Sequence, residues 1–321
     1  RCLDKYGYAD TEKAYQEIMA EREAYKNDPE KLAEAIRKDP ITIEEAFRST
    51  TRDCLFDMTK IHEQLDFLSW NENITERGNF VWENGVKDSK VVWEKNSNGR
   101  WLIPKGFILK PEETNMIEKR SNLFFPLNNW RFGSACDPYR ANRTEDHRRS
   151  MGTSIVKQKN NLTNHEDFFI EAYVSQYYAR PNTAEMMYED MLLQSVYFGC
   201  SILIENNVGN GPFDYFRRRG YGPFLMHLPG YKEPGVPSSV PNKQTAFYFM
   251  ESMIDRNSKK ILFPLLLEDL LEFQIDDTKK FDLSMAALWT ELACSNVKYA
   301  SASNNSMTKK ITDYCPKRKT A

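Results

Sequence analysis

The stretch Gly199-Cys200-Ser201-Ile202-Leu203-Ile204-Glu205-Asn206-Asn207 constrains this chain more than any other. An apolar run entered from a glycine turn and closed by an acid and two asparagines reads as a fully buried strand with a carboxylate at its C-terminal end. Open α/β sheets place their ligand sites at that end of a strand. Glu205 therefore stands where chemistry is expected, with no evident structural task.

Around it the second half of the chain reads β, β, β, α, β, α, β and then helices. Strands are expected over 131–137, 152–158 and 168–174, the last from the alternation of Phe168, Ile170, Ala172 and Val174. A helix is expected from a cap at Asn182, with Glu185 three residues on, to Gly199. Glu205 closes the fourth strand, a helix follows Pro212, and Phe224-Leu225-Met226-His227 reads as a fifth strand. Residues 229–241 repeat Pro and Gly and read as a loop. Helices then follow near 242–255, 264–273 and 279–294. In the last, Phe281, Met285, Leu288, Trp289 and Leu292 form one apolar stripe, with Asp282 at its edge.

Ahead of this core lie charged helical patterns at 11–26 and after Asp28-Pro29, then Thr42 and Glu45 in a capping-box arrangement. A further helix is expected through Ile61, Leu65 and Leu68. From 79 to 110 the texture turns to β, with Asn84-Gly85 and Asn98-Gly99 between apolar runs, the short-range mark of hairpins. This is read as an accessory meander whose tryptophans pack rather than stack on bases. The expected organisation is connecting helices over 1–45, a linker helix and meander over 46–127, a mixed α/β core flanked by helices over 128–300, and a polar, basic tail over 301–321.

With 321 residues, 40% of them hydrophobic, and a net charge of −2, the chain has the profile of a globular protein. No run reaches the roughly 18 apolar residues that span a bilayer, and the start lacks an apolar signal core. A cytoplasmic location without membrane contact is expected. The opening at Arg1 rather than a methionine suggests a piece of something longer. Six scattered cysteines without a CxxC pair suggest neither a zinc site nor a disulfide framework. GxxxxGK[ST], GxGxxG and GxSxG motifs are all missing, which weighs against a phosphate-cradling loop, a dinucleotide fold and a nucleophile-elbow hydrolase.

The candidate chemistry lies in three acids: Asp137 ending the first strand, Glu205 ending the fourth, and Asp282 opening the last helix. Carboxylates gathered from those places suit hard divalent cations such as magnesium. Two such ions about 3.5–4 Å apart can activate a water and stabilise the leaving oxygen in phosphodiester cleavage. Each acid also has a plain reading: Asp137 before Pro138 as an Asx turn, Glu205 as a surface acid, Asp282 as a helix-start acid favoured by the helix dipole. Basic islands at Arg140, Arg143, Arg148 and Arg149, and at Arg217, Arg218 and Arg219, follow two of the acids. They are candidate DNA backbone contacts, with a solvated face as the alternative.

Three pieces carry a family resemblance: Asp39-Pro40-Ile41-Thr42-Ile43-Glu44-Glu45-Ala46-Phe47, Cys136-Asp137-Pro138-Tyr139-Arg140, and Ile204-Glu205-Asn206-Asn207-Val208-Gly209. Together with Phe281-Asp282-Leu283-Ser284-Met285-Ala286 they resemble the C-terminal nuclease domain of the large terminase subunit of tailed bacteriophages. The resemblance implies a ribonuclease H-like fold and cleavage of concatemeric double-stranded DNA during genome packaging. It implies two Mg2+ or Mn2+ ions on Asp137, Glu205 and Asp282, with Asp276 and Asp277 as alternatives to Asp282. It further implies a portal, a small terminase subunit and an ATPase domain of the same polypeptide as partners, in the host cytoplasm. Two other readings stay open: a non-catalytic docking module of a packaging motor, and a junction resolvase or transposase on the same fold.

Overall fold

The computed structural model describes residues 10–42, 45, 56–71, 74–139, 150–160, 167–206, 209–274 and 278–295. Arg140, Arg143, Arg148, Arg149, Asp276, Asp277 and the tail from 301 lie outside the described residues. The frame is one seven-stranded mixed sheet in the order β2-β1-β3-β8-β7-β6-β9. Its strands are β1 (Thr75–Trp82), β2 (Val91–Lys95), β3 (Trp101–Pro104), β6 (Phe132–Asp137), β7 (Gly152–Gln158), β8 (Tyr173–Ala179) and β9 (Ile202–Ile204). A hairpin of β4 (Ile117–Arg120) and β5 (Leu123–Pro126) stands apart as a second sheet.

All pairs in the large sheet are antiparallel except β6 with β9, which run parallel. The parallel pair is closed by a crossover through α4 (Ala184–Phe198), which starts at a Thr183 cap and ends at Gly199. Thr183 accepts the Met186 N–H, so the cap falls one residue after the expected Asn182. This crossover carries the chain past β8 and β7 and sets the fourth core strand beside the first. The C-terminal ends of β6 and β9 thereby become neighbours.

Period-two alternation sorts each strand between two cores. Ala135, Ile155, Tyr173 and Leu203 face one layer, with α3 (Met58–Trp70), α6 (Val240–Asn257), α7 (Pro264–Glu272) and α8 (Asp282–Ser295). Cys136, Val156, Val174, Ile202 and Ile204 face the other, with α4 and α5 (Gly211–Arg218). Burial on both faces explains why β9 reads as a continuous apolar run rather than an alternating one. The α8 stripe expected from the sequence packs into the first layer through Phe281, Met285, Leu288, Trp289 and Leu292.

A buried ion pair fixes α8 to the sheet. Lys157 of β7 donates to Glu291 at 2.8 and 2.7 Å, and Tyr173 O–H donates to the same carboxylate at 2.7 Å. On the opposite face Arg100 grips Asp190 of α4 at 2.7 and 2.6 Å, with Tyr177 O–H adding a third donor at 2.9 Å. Trp82 Nε1 donates to Glu189 of the same helix at 2.7 Å.

Those last contacts belong to the 79–110 segment, and they revise its expected status. The segment is no appendage: β3 pairs with β8, so β1, β2 and β3 continue the core sheet. It is also not a sequential meander, because β1 lies between β2 and β3. The chain crosses at Gly99, where a Cβ would sit 2.2 Å from Gly78 O, so only glycine allows the two backbones this close. The tryptophans do pack: Trp101 is fully buried against Phe80 and Tyr177.

The third core strand begins at Tyr173, five residues later than expected. Asp167 Oδ1 accepts the Phe169 N–H, and Glu171 takes a left-handed φ of 60°, so 167–172 turn instead of extending. The expected fifth strand is reduced to isolated bridges, Leu225 to Ile202 and His227 to Gly235. The N-terminal patterns form α1 (Thr11–Ala24) and α2 (Pro29–Lys38), and Thr42 Oγ1 accepts the Glu45 N–H at 3.2 Å as a capping box requires. The reciprocal bond runs to Ile41 N–H rather than to Thr42. Among the described residues no helix is long and apolar enough to cross a membrane, and Cys136, Cys200 and Cys294 are free thiols.

Candidate functional site

Asp137 and Glu205 come together through register. Cys136 pairs with Ile204 and Glu205 N–H donates to Cys136 O at 3.0 Å, so the next residue of each strand lies side by side. Alternation then decides direction. Ala135 and Leu203 face the α8 layer, so Asp137 and Glu205, each two residues on, face it as well. The two carboxyl groups lie close enough for the Glu205 charge to act on Asp137.

Burial, the Glu205 charge and the Asp282 charge push the Asp137 pKa well above the ordinary carboxylate range, opposed by Lys243 of α6. This is the behaviour of two acids sharing a site, where both cannot ionise without a counter-charge. Burial, Asp137 and Glu205 also raise the neighbouring Cys136 thiol, which is inert at neutral pH.

Glu205 is buried, and Trp289 of α8 donates its indole N–H to Glu205 Oε2 at 2.9 Å. The chain beyond the site closes tightly: Val236 N–H donates to Ile204 O at 2.8 Å and Asn206 N–H to Val236 O at 2.8 Å. At Gly235 a Cβ would meet Ile204 O at 2.5 Å, and its φ of 92° is left-handed, so glycine is needed there.

Asp282, the first residue of α8, lies seven residues and two helical turns before Trp289, on the same side of the helix. It is close enough to raise the Asp137 pKa. Its own carboxylate is engaged, Oδ2 accepting from Met151 N–H at 2.8 Å and Oδ1 from Ser150 Oγ at 3.2 Å. Burial raises its pKa, with Met151 and Ser150 opposing. Among the described residues no group of three or more His, Cys, Asp or Glu side chains is gathered as a metal would require. The structure thus joins two of the three acids directly and places the third within electrostatic reach.

Several groups here were not singled out from sequence. Asp269 of α7 accepts from Ser284 N–H at 2.7 Å and Ser284 Oγ at 2.8 Å, capping α8. Burial pushes its pKa up to about 6. Trp289 was read as packing alone, and Lys243 and Arg180 had no motif to mark them. Arg180 follows β8, donates to Ser150 O and lies 4.4 Å over the Tyr139 ring.

The second basic island is partly occupied. Arg219 bridges Asp88 at 2.6 Å and Glu189 at 2.9 Å in a half-buried network. Arg217 pairs with Asp214 and Glu233 at 3.4 and 3.5 Å, and Arg218 with Glu185 at 3.6 Å, all in exposed positions. Arg217 and Arg218 line an open hollow of about 410 Å³ with Glu185, Tyr188, Gly211 and Asp214. Its helices, α4 and α5, pack on the sheet face opposite the one carrying the acid pair.

No family model and no curated protein matches the chain. Among solved structures it is similar to the large terminase nuclease from the thermophilic phage G20c, at 10% identity and a TM-score of 0.38, over 72% of this chain and 96% of that one. A superposition that loose decides neither topology nor chemistry.

Proposed function

We propose that this chain is a metal-dependent endodeoxyribonuclease of ribonuclease H-like fold, with Asp137 and Glu205 at its centre. The observation that carries the reading is the acid pair itself. Two carboxylates at adjacent strand ends, one of them backed by a buried indole donor, are held against their own repulsion. Such a pair is destabilising until a cation arrives.

The donor set fits magnesium or manganese, since every candidate ligand is a carboxylate oxygen. Bound there, a divalent ion supplies Lewis acidity and a water of lowered pKa. The chain's own contribution is positional. Trp289 fixes the Glu205 rotamer, β-register fixes Asp137, and Ser150 with Met151 holds Asp282 at the rim. Asp282 accepts one bond on each oxygen from Ser150 and Met151 and would keep a lone pair on each for an ion, so it would serve as a ligand added to the Asp137–Glu205 pair.

By resemblance in the segments around Asp137 and Glu205, the substrate is double-stranded DNA and the setting is phage genome packaging in the host cytoplasm. The portal, the small terminase subunit and an ATPase domain are the partners proposed on the same ground. Arg217 and Arg218, on exposed and weakly paired side chains, remain proposed backbone contacts. Arg219 fits that role less well, because its guanidinium already holds Asp88 and Glu189.

The engaged carboxylate of Asp282 favours a second reading, a non-catalytic docking module. Cleavage of supercoiled plasmid in manganese separates the two. The nuclease reading expects nicking that Asp137→Ala and Glu205→Ala abolish; nicking that survives either change, or none from the intact chain, sinks it.

A further inference from the structure

We propose that Arg180 is a phosphate anchor of the acid site, the residue that holds a phosphodiester oxygen of the substrate beside Asp137 and Glu205. The inference rests on the nuclease reading and deepens it. Three acids repel a polyanion, so a site built from them needs a fixed cation at its mouth.

Strand order puts Arg180 there. β6 ends at Asp137, β7 begins at Gly152 and β8 ends at Ala179, and the antiparallel pairing brings these three ends to one edge of the sheet. Arg180 follows directly. Its Nη1 donates to Ser150 O, while the hydroxyl of the same Ser150 donates to Asp282 Oδ1 at 3.2 Å. The guanidinium is thus one residue removed from the third acid, and the two feel each other's charge.

Two contacts hold the group flat and in place. Its carbon lies 4.4 Å over the Tyr139 ring, and Tyr139 is itself buried and tied by its O–H to Pro181 O at 2.9 Å. A guanidinium stacked in this way has lost its side-chain freedom before any ligand arrives. Among the described residues Ser150 O is its one hydrogen-bond acceptor, so Nε and Nη2 have no protein acceptor there. That leaves the edge that grips a phosphate in two-point fashion.

The test is duplex DNA binding in metal-free buffer as a function of salt, for the full chain and its Arg180→Gln and Arg180→Met forms. One phosphate contact contributes about 0.9 to the slope of log K against log salt. Either neutral variant is expected to lose about that much, and Arg180→Lys to keep most of it. An unchanged slope with a lowered melting temperature would make Arg180 a mere strut for Ser150 and overturn the proposal. If neither neutral variant folds, the Arg180 Nε–H resonance of the intact chain, assigned by its loss in Arg180→Lys, decides. It shifts on adding duplex if the proposal holds and stays in place if it does not. Failure of the nuclease reading has a different signature, cleavage in manganese that Asp137→Asn leaves intact whatever the salt slope.

Discussion

Lys157 and Glu291 offer the sharpest test of how α8, and with it Trp289 and Asp282, is held over the sheet. Both side chains are almost fully buried, 8% and 7% exposed, and Nζ reaches the two carboxylate oxygens at 2.8 and 2.7 Å. Removing one partner leaves the other charge buried and unpaired, which costs about 3–5 kcal/mol. Glu291→Leu and Lys157→Met are each expected in that range. At about 2–4 °C per kcal/mol for a chain of this size, each should lower the melting temperature by roughly 6–20 °C. The double variant Lys157→Met/Glu291→Leu removes both charges and should recover most of the loss. Urea melts at neutral pH measure all four corners of the cycle. Burial opposes the Lys157 charge, yet Glu291, Cys294 and Glu171 together outweigh it and raise the Lys157 pKa. On the alkaline side the Lys157 contribution is therefore complete below the ordinary lysine value of about 10.4 and is lost as pH climbs through the raised one. Single variants costing under about 1 kcal/mol, or a double variant as damaged as the two singles summed, would refute the reasoning.

Two further outcomes follow from the acid pair. Trp289→Phe removes the 2.9 Å donor to Glu205 and should cost about 1.5–3 kcal/mol for a hydrogen bond to a charged group; urea melts read the cost, and coupling to Glu205→Leu in a double-mutant cycle separates the bond from the cavity. Asp137 has its pKa raised in the folded state, so there the folded chain binds the extra proton. Metal-free stability should fall as pH rises from the unfolded carboxylate value of about 3.9 through the raised one. Asp137→Asn should remove that fall and melt higher than the intact chain at pH 7, and manganese should stabilise the intact chain more than the variant. A variant that melts lower in metal-free buffer would contradict the repulsion.

Much of the frame is legible in residue order. β7 runs from Gly152 to Gln158 as its sequence implies, and β6 and the helices from 240 onward fall within a few residues of expectation. What failed was one turn set by its own residues and several features decided by distant partners. Phe168-Phe169-Ile170 looks like a strand, but Asp167 and the left-handed Glu171 turn it. The strand proper, Tyr173-Val174-Ser175-Gln176-Tyr177, looks too polar, because its buried polar side chains include Tyr177, satisfied by Asp190 across the layer. The pairing of β1 with β3 needs Gly99 against Gly78, a contact no local pattern announces, and β3 then meets β8.

The site divides in the same way. Glu205 and Asp137 were visible because a carboxylate closing an apolar strand has no local use. Trp289 sits inside an apolar stripe, where its indole N–H is hidden among packing residues. Asp269 reads as one acid among several on α7, and its cap on Ser284 exists only after the two helices meet. Lys157 and Glu291 each look like solvated residues and become a buried pair only through the crossing of α8 over β7.

The most direct test is to locate manganese by anomalous diffraction from crystals grown or soaked with the ion. The account predicts a peak within ligand distance of the carboxylates of Asp137 and Glu205. Full occupancy at another cluster, or no peak at the pair, would contradict it.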